Sequence, residues 1–223
     1  MASRPASRPT ANTFSILGLL AVQPFTAYEL VSQAKRSLHH FWPRSEAHIY
    51  AELKRLVDRG YAYAERAQGR RRQATLYTIT DAGRQALQAW LTTTPGEPLL
   101  EVEGLLRTLL ADQGTIDDLR SALYSTADQA RALLTNGLTI VEDLVATGGP
   151  FPQRQHLSVP IASFYERFMR MVIEWCDEML AEIQTWPDTR DVGLTPGGRQ
   201  RLEQIIADAP SWLGGRAAAL ERL

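Results

Sequence analysis

Apolar residues in the first part of the chain predict helices at the start and strands afterwards. They crowd the stretch 14–22 and recur at three- and four-residue spacing over 49–57, so both segments are predicted to be helical. A capping-box pattern at 26–29, a hydroxyl followed three positions later by a carboxylate, predicts another helix between them. Ser45 is the expected N-cap of the third helix, and Gly60 is placed to end it with a positive φ.

The helical period then gives way to two short strands. Residues 61–65 alternate in size, and 76–80 is rich in β-branched and aromatic residues. The polar, glycine-containing connector 68–73 makes the pair a β-hairpin, and a further helix is predicted over 81–91. Three helices, a hairpin and a helix in this order describe a winged helix-turn-helix, in which one helix lies in the major groove of DNA.

The segment 92–98 contains Pro, Gly and Pro and is the predicted linker. A short helix and two long ones follow, and the last, roughly 158–186, has a coiled-coil-like apolar seam. In the remaining tail, Thr195-Pro196 predicts a helix start and Pro210 a break.

The predicted fold class is therefore mainly α: an N-terminal winged helix-turn-helix with a two-stranded β-wing, followed by a helical coiled-coil-like dimerisation domain. The predicted divisions are a disordered arm (1–11), a winged-helix DNA-binding domain (12–91), a linker (92–98), a helical dimerisation domain (99–186) and a helical tail without an assigned role (187–223).

The net charge of −1 conceals a division between the two halves of the chain. Residues 1–91 hold thirteen Lys and Arg against six Asp and Glu, a net of +7, whereas 92–223 hold eleven against nineteen, a net of −8. A basic half joined to an acidic half favours a polyanion-binding module, although charge alone leaves chance unevenness as an alternative.

Composition narrows the class of protein further. With 44% hydrophobic and 22% charged residues, the chain is expected to fold around a packed core. The apolar run 14–22 is too short to span a bilayer and lacks the flanks of a signal peptide. A single cysteine, Cys176, excludes an internal disulfide and a thiolate zinc cluster and suits a reducing cytoplasm, so we expect a cytoplasmic protein.

Four stretches resemble the PadR family of bacterial transcriptional regulators. They are ILGLLA at 16–21, AYEL at 27–30, IYAELKRLVDRGY at 49–61 and RRRQATLYTITDAGRQAL at 70–87. Family members usually carry Gly-Tyr where this chain has Ala27-Tyr28, a small-for-small change. The resemblance is strong over 12–91 and weaker over 99–186. It implies a dimeric winged-helix repressor that a small ligand often releases from DNA.

The start of the third helix supplies the candidate base-reading residues. N-terminal residues of a recognition helix reach base edges, which indicates Ser45, Ala47 and His48, a solvated surface histidine being the alternative for His48. Arg44, just ahead of the helix, is predicted to hold a phosphate, because a helix N-terminus also favours an anion. Tyr50 resembles a family tyrosine, and we expect its hydroxyl at the DNA backbone unless it is a core residue.

Three charged residues of the same helix, Glu46, Glu52 and Arg55, avoid its apolar positions and are expected to be available to an outside partner. Two of them are acidic and repel phosphate, so base reading by this helix is expected to be sparse. Affinity must then come from other basic residues.

The hairpin tip carries Arg70, Arg71 and Arg72 in succession. One sheet face cannot hold three guanidinium groups in a core, so most of them are expected to face solvent. At this position they would reach the DNA backbone or minor groove, a plain solvated surface being the alternative. Further phosphate contacts are predicted from Lys35, Arg36, Lys54 and Arg55.

The apolar seam of the last long helix is typical of a core shared between two copies of the chain. The predicted dimer interface consists of Ile161, Tyr165, Phe168, Val172, Trp175 and Met179. Aromatic rings also suit a planar aromatic effector, although ordinary core packing explains them without a ligand. The candidate effector-binding residues are Trp90, Phe164, Phe168 and Trp175.

No arrangement of residues indicates catalysis or metal binding. His39 and His40 are adjacent and cannot both face one ion on a helix, and no acid or thiol is spaced with them. Cys176 lies in an apolar helical stretch, and neither G-x-S-x-G nor a P-loop occurs. We therefore expect no enzyme activity, no metal and no cofactor.

The sequence thus predicts a homodimeric DNA-binding regulator of the PadR type, a repressor acting on a palindromic operator and released by a small aromatic effector. The alternative is a winged-helix module for protein–protein contact without DNA binding. The salt dependence of affinity for duplex DNA separates the two hypotheses.

Overall fold

The protein is described here from a computed structural model that covers residues 8–39, 41–66 and 74–213. The chain divides into two compact units, Met1–Leu99 and Leu100–Leu223. In the first unit the elements are α1 (Ala11–Leu20), β1 (Phe25–Thr26), α2 (Ala27–Ser37), α3 (Glu46–Asp58), β2 (Ala62–Arg66), β3 (Thr75–Ile79) and α4 (Asp81–Leu91). In the second they are α5 (Glu103–Leu109), α6 (Ile116–Thr147), α7 (Gln155–Glu182) and α8 (Pro196–Leu213).

Side-chain caps begin the helices of the first unit where the sequence predicts. The Thr26 backbone N–H donates to the Glu29 carboxylate at 2.9 Å, and the Glu29 N–H donates to the Thr26 hydroxyl at 3.3 Å, which closes the capping box of α2. The Ser45 hydroxyl accepts from the His48 N–H at 3.3 Å and begins α3. Gly60 follows α3 with φ +71°, a conformation that glycine adopts without steric cost.

The predicted hairpin is confirmed, and it belongs to a sheet of three antiparallel strands in the order β1-β3-β2. Ala62 of β2 lies opposite Ile79 of β3, and Arg66 lies opposite Thr75. The pairing of β1 with β3 was not predicted, because two residues are too few to show an alternating pattern. The segment that joins β2 to β3, with Arg70, Arg71 and Arg72, lies outside the described residues.

A close backbone approach holds α4 against the start of the hairpin. The Thr80 N–H donates to the Tyr61 carbonyl at 3.0 Å, and the Thr80 hydroxyl caps α4 by accepting from the Gly83 N–H at 3.0 Å. A Cβ atom at Gly83 would collide with the Tyr61 carbonyl oxygen, so a glycine is required at this position. The T-x-x-G sequence at the hairpin exit thus fixes the hairpin relative to α4.

The core of the first unit holds α3 in place. Leu17, Leu20, Leu30, Leu53 and Leu56 are almost fully buried and come from α1, α2 and α3. Burying a leucine side chain contributes about 1.5–3 kcal/mol to the free energy of folding, so these five buried residues strongly disfavour displacement of α3.

In the second unit, the first half of α6 packs against the second half of α7. The buried core comprises Leu119, Leu123, Ala127, Ala130, Met169, Val172, Cys176 and Ile183. Farther along α6, Leu138, Val141 and Val145 are exposed. The apolar side chains of α6 are therefore only partly covered within one chain.

Several element bounds differ from the predictions, among them those of α5, α7 and α8. α5 begins at Glu103 rather than near Leu99, because an acidic residue in the first turn favours the helix N-terminus. α7 begins at Gln155, three residues before the predicted start. The predicted break at Pro210 is wrong: α8 continues to Leu213, since a proline removes one backbone hydrogen bond while the residues on either side continue the helix.

Candidate functional site

The exposed face of α3 is the centre of the candidate site. Ile49, Leu53 and Leu56 are buried beneath it. Its solvent-facing residues include Ala47, Tyr50, Ala51, Lys54 and Arg55, with the acidic Glu46 and Asp58 at its two ends. The small alanine side chains let another molecule approach the helix backbone, while Lys54 and Arg55 supply positive charge. Tyr50 is 45% exposed, so it is not the core tyrosine of the alternative interpretation.

Arg44 is held just ahead of α3 by residues of two segments. Its Nε donates to the side-chain oxygen of Asn12 at 2.7 Å, and its Nη1 donates to the Pro43 carbonyl at 2.5 Å. The guanidinium carbon lies 4.8 Å from the ring centroid of Trp42, in cation–π range. Trp42 in turn donates from Nε1 to the same Asn12 oxygen at 2.9 Å. Arg44 is therefore exposed yet held in one orientation.

Glu52 occupies a different environment from the one predicted. The expectation that it is available to an outside partner is wrong, because the residue is only 3% exposed. The Thr13 hydroxyl of α1 donates to its Oε2 at 3.0 Å, and Arg55 Nη1 donates to Oε1. At three- and four-residue spacing, position 52 falls beside the buried Ile49 and Leu56, where α1 covers it.

His48 and Arg55 both lie next to this buried carboxylate. His48 Nε2 is 3.9 Å from Glu52 Oε1, and the residue is half-buried rather than a fully solvated surface histidine. Among the residues that the structure describes, this nitrogen has no hydrogen-bond partner. The Arg55 side chain is 49% exposed, so it faces both the carboxylate and solvent.

An ion pair between two helices neutralises an acidic residue in the first turn of α3. Lys35 Nζ of α2 lies 2.5 Å from Glu46 Oε1 of α3, and both side chains are more than half exposed. The hydrogen bond and the charge of Glu46 raise the pKa of Lys35. The pair contributes little to stability at this exposure, but it neutralises one carboxylate that would repel phosphate. Lys35, predicted as a phosphate contact, is thus already engaged.

The residues predicted to form the dimer interface have different environments in the single chain. Val172 is buried by its own chain, and Tyr165, Phe168, Trp175 and Met179 pack around the α6–α7 core. Ile161 is 44% exposed. Other apolar side chains of the second unit face solvent, namely Leu138, Val141 and Val145 of α6 and Leu157, Val159 and Phe164 of α7.

The four candidate effector residues have different environments. Trp90 belongs to the first unit, where its ring stacks on Phe14 with centroids 4.9 Å apart and an interplanar angle of 12°. Phe164 is 69% exposed, and Trp175 packs at the edge of the α6–α7 core. Phe168 lines a cleft.

The cleft beside Phe168 lies between α5, α6 and α7 and has a volume of about 580 Å³. Phe168, Met169 and Val172 form an apolar wall on α7. The polar side chains around it are Glu101, Glu103, Arg107, Asp118, Ser121, Ser125, Thr126 and Gln129. Apolar walls with a few polar groups are typical of small-molecule sites.

The described part of the chain contains no cluster of three or more metal-ligating side chains. Cys176 is fully buried, and burial raises the pKa of its thiol, which disfavours the reactive thiolate. None of the helices in the described ranges combines the length and apolar character needed to cross a membrane.

Three residues of the site, Asn12, Thr13 and Trp42, were missed by sequence reasoning. Asn12 and Thr13 are polar residues at the start of an otherwise strongly apolar helix, a pattern that also describes ordinary helix capping. Their contacts lie 30 to 39 positions away, at Trp42, Arg44 and Glu52. A local pattern carries no information on such distant partners.

Comparison with known proteins identifies relatives of the first unit. Residues 16–89 match the model of the transcriptional regulator PadR-like family. The chain is 38% identical over 79 residues to the negative transcriptional regulator PadR of Bacillus subtilis (strain 168), an alignment that covers 35% of this chain and 43% of the relative. The chain spans about half the length of the curated relatives that it matches.

The fold is similar to that of solved PadR structures. The crystal structure of Bacillus subtilis PadR in complex with operator DNA superposes with a TM-score of 0.67 at 24% identity, covering 78% of this chain and 99% of that one. The same protein in complex with p-coumaric acid superposes with a TM-score of 0.61 at 23% identity, with the same coverage. At these identities the likeness establishes the fold.

Proposed function

Because residues 16–89 of this chain form a domain of the transcriptional regulator PadR-like family, we propose that the protein is a DNA-binding transcriptional regulator that reads the major groove with α3. The observation that carries the proposal is the arrangement at the start of α3. Arg44 is exposed and hydrogen-bonded to Asn12, directly ahead of a helix N-terminus. Fixed cationic donors at a helix N-terminus favour phosphate.

The chemistry of α3 assigns different roles to its residues. Ser45 and His48 lie in the first turn, where side chains reach base edges, and Ala47 leaves room for the helix to approach. Tyr50 contributes a hydroxyl to the DNA backbone. Lys54 and Arg55 add phosphate contacts farther along the helix.

Arg70, Arg71 and Arg72 provide the second contact region. They connect β2 to β3 in a hairpin that is adjacent to α3 in sequence, and such wings contact the phosphate backbone or minor groove. The +7 charge of residues 1–91 supports a polyanionic partner for this unit.

The regulator acts as a homodimer on a palindromic operator. Exposed apolar side chains along the second half of α6 and the first half of α7, among them Val141, Ile161 and Phe164, support association through the second unit. A two-fold dimer presents two α3 helices to half-sites about 34–36 Å apart, which makes the operator palindromic.

Repression is the favoured outcome of binding, and the description of the Bacillus subtilis relative as a negative regulator supports it. A small planar aromatic molecule releases the dimer from DNA, and the cleft lined by Phe168 is its site. The PadR structure with p-coumaric acid supports an effector of this class. Calorimetric titration of p-coumaric acid into wild type and Phe168→Ala tests the site, and equal affinity for both proteins would contradict it.

Selection of binding sites from a pool of random duplexes tests the proposed function. A DNA-binding regulator enriches one motif with two inverted half-sites, and the enriched duplex competes with random DNA. A protein–protein interaction module enriches no sequence. That result would favour the alternative function of the winged helix.

A further inference from the structure

Glu52 is a buried carboxylate on the helix that faces DNA in the proposed function. It is 3% exposed, and a buried charge is costly unless it is paired and hydrogen-bonded. A carboxylate at this place also repels the phosphates of bound DNA. The hydrogen bonds that Glu52 makes must therefore compensate for both effects.

The two oxygens of Glu52 contact different parts of the protein. Oε2 accepts from the Thr13 hydroxyl at 3.0 Å, and the same hydroxyl accepts from the Thr10 N–H at 3.1 Å, which ties the carboxylate to the first turn of α1. Oε1 accepts from Arg55 Nη1 and lies 3.9 Å from His48 Nε2. One oxygen is thus bound to the scaffold, and the other faces two side chains of the DNA-binding surface.

Arg55 gains a defined orientation from this contact. A free arginine side chain samples many rotamers, and a binding partner must order them. The bond from Nη1 fixes the chain at one end while the other guanidinium donors remain to contact DNA, since arginine has five N–H donors in a planar fork. With 49% of its side chain exposed, Arg55 can contact the carboxylate and an outside partner together.

We propose that Glu52 is a specificity-positioning residue, which ties Arg55 to α1 so that this side chain meets DNA in one orientation beside His48. This role rests on the proposed DNA-binding function. Because the carboxylate opposes phosphate binding and fixes the orientation in which Arg55 holds a phosphate, it sets the register of α3 on the DNA. Its removal therefore strengthens binding to random DNA and weakens discrimination between sequences. A merely structural residue would weaken both kinds of binding together.

The central variant is Glu52→Gln, which preserves side-chain size and removes the charge. We expect affinity for random duplex to rise about threefold, because one phosphate-repelling charge is lost. Affinity for the selected operator should fall about tenfold, as expected when a bidentate or oriented contact is lost. The matched control is Glu46→Gln, the same change at an exposed residue of the same helix, and it should alter both affinities equally.

A second pair of variants tests the link to α1. Thr13→Val removes the hydroxyl while keeping the side-chain shape. Like Glu52→Gln, it should lower the ratio of operator affinity to random-duplex affinity. Thr13→Ser retains the hydroxyl and should keep this ratio at the wild-type value. In an Arg55→Ala background, Glu52→Gln should lose more than about half of its effect, because the side chain that it positions is absent.

The outcomes separate the two levels of the proposal. Failure of the wild type to bind duplex DNA overturns the proposed function itself. If the wild type prefers the operator to random DNA, but Glu52→Gln and Glu46→Gln have the same operator-to-random affinity ratio, the positioning role alone is overturned. If Glu52→Gln does not fold by circular dichroism, the Thr13→Val and Thr13→Ser pair decides, and equal ratios for these two proteins contradict the role.

Discussion

The side-chain oxygen of Asn12, at the start of α1, accepts a 2.7 Å hydrogen bond from Nε of Arg44, 32 positions farther along the chain. The same oxygen accepts from Nε1 of Trp42 at 2.9 Å. The first turn of α1 therefore orients the cation that precedes α3. One residue later, Thr13 reaches Glu52 in the middle of that helix.

Replacing Asn12 by Ala should weaken DNA binding through Arg44. Ordering a free side chain on binding costs about 0.5–1.5 kcal/mol, so we expect operator affinity to fall by about two- to tenfold when Arg44 is released. Fluorescence anisotropy with labelled operator measures the loss. Ser15→Ala is the control, because it removes a hydrogen bond to the Asn12 backbone carbonyl and leaves the Arg44 contact intact. Equal losses for both variants would show that α1 acts only through stability.

Replacing Arg70, Arg71 and Arg72 by Ala should weaken binding to operator and random DNA alike. Each lost phosphate contact lowers the slope of log affinity against log salt by about one. The matched control replaces three exposed arginines of the second unit, Arg154, Arg167 and Arg199, with the same change in net charge. An unchanged slope in the wing variant, with an unchanged melting temperature, would contradict a role for the wing.

Aspartate substitutions at two positions of α7 should have different effects on the dimer and on the fold. Phe164 is 69% exposed, so Phe164→Asp should leave the chain folded and produce monomers in sedimentation, with loss of tight operator binding. Val172 is 8% exposed and belongs to the core of its own chain. Val172→Asp should therefore unfold the second unit, because a buried unpaired charge costs several kcal/mol, about 3–5. A Phe164→Asp protein that remains dimeric would place the interface elsewhere.

Local signals in the sequence correctly predict where α2 and α3 begin. The Thr26–Glu29 capping box and the Ser45 cap are built from residues within three positions of each other, so sequence spacing alone identifies them. The hairpin follows from the change of apolar period, and its last described pair, Arg66 and Thr75, lies where the pattern ends.

The environment of Glu52 could not be predicted in the same way. A polar side chain on a helix predicts exposure to solvent. Glu52 is instead buried against α1, where its carboxylate accepts a hydrogen bond from the Thr13 hydroxyl, 39 positions away. The seam of α7 has a related ambiguity, because the spacing of Val172 and Met179 is equally compatible with packing within one chain and between two. The structure shows that α6 of the same chain covers Val172.

The attachment of α8 to α7 should depend on pH. The Thr195 hydroxyl and, more weakly, Arg201 hold the pKa of Glu182 below its ordinary value of 4.5, although burial opposes them. A lowered pKa in the folded state means that the carboxylate stabilises the fold above pH 4.5 and that this contribution is lost as the pH falls through the folded-state value.

Melting temperatures of wild type and Glu182→Gln, measured from neutral pH down to about pH 3, test this linkage. The difference between the two melting temperatures should be constant near neutral pH and become smaller as the pH falls. Glu178→Gln, an exposed residue one turn earlier on α7, should show no such change. A difference that stays constant throughout would mean that the Glu182 charge does not stabilise α8.

The measurement that tests the central claim most directly is the affinity of the purified protein for its selected operator and for a shuffled duplex over a range of salt concentrations. DNA recognition by α3 and the wing predicts a linear fall of log affinity with log salt for both duplexes, by about 0.9 per phosphate contacted. It also predicts an operator preference of about a thousandfold or more near physiological salt. Affinity that is independent of salt, or equal for the two duplexes at every salt concentration, would contradict it.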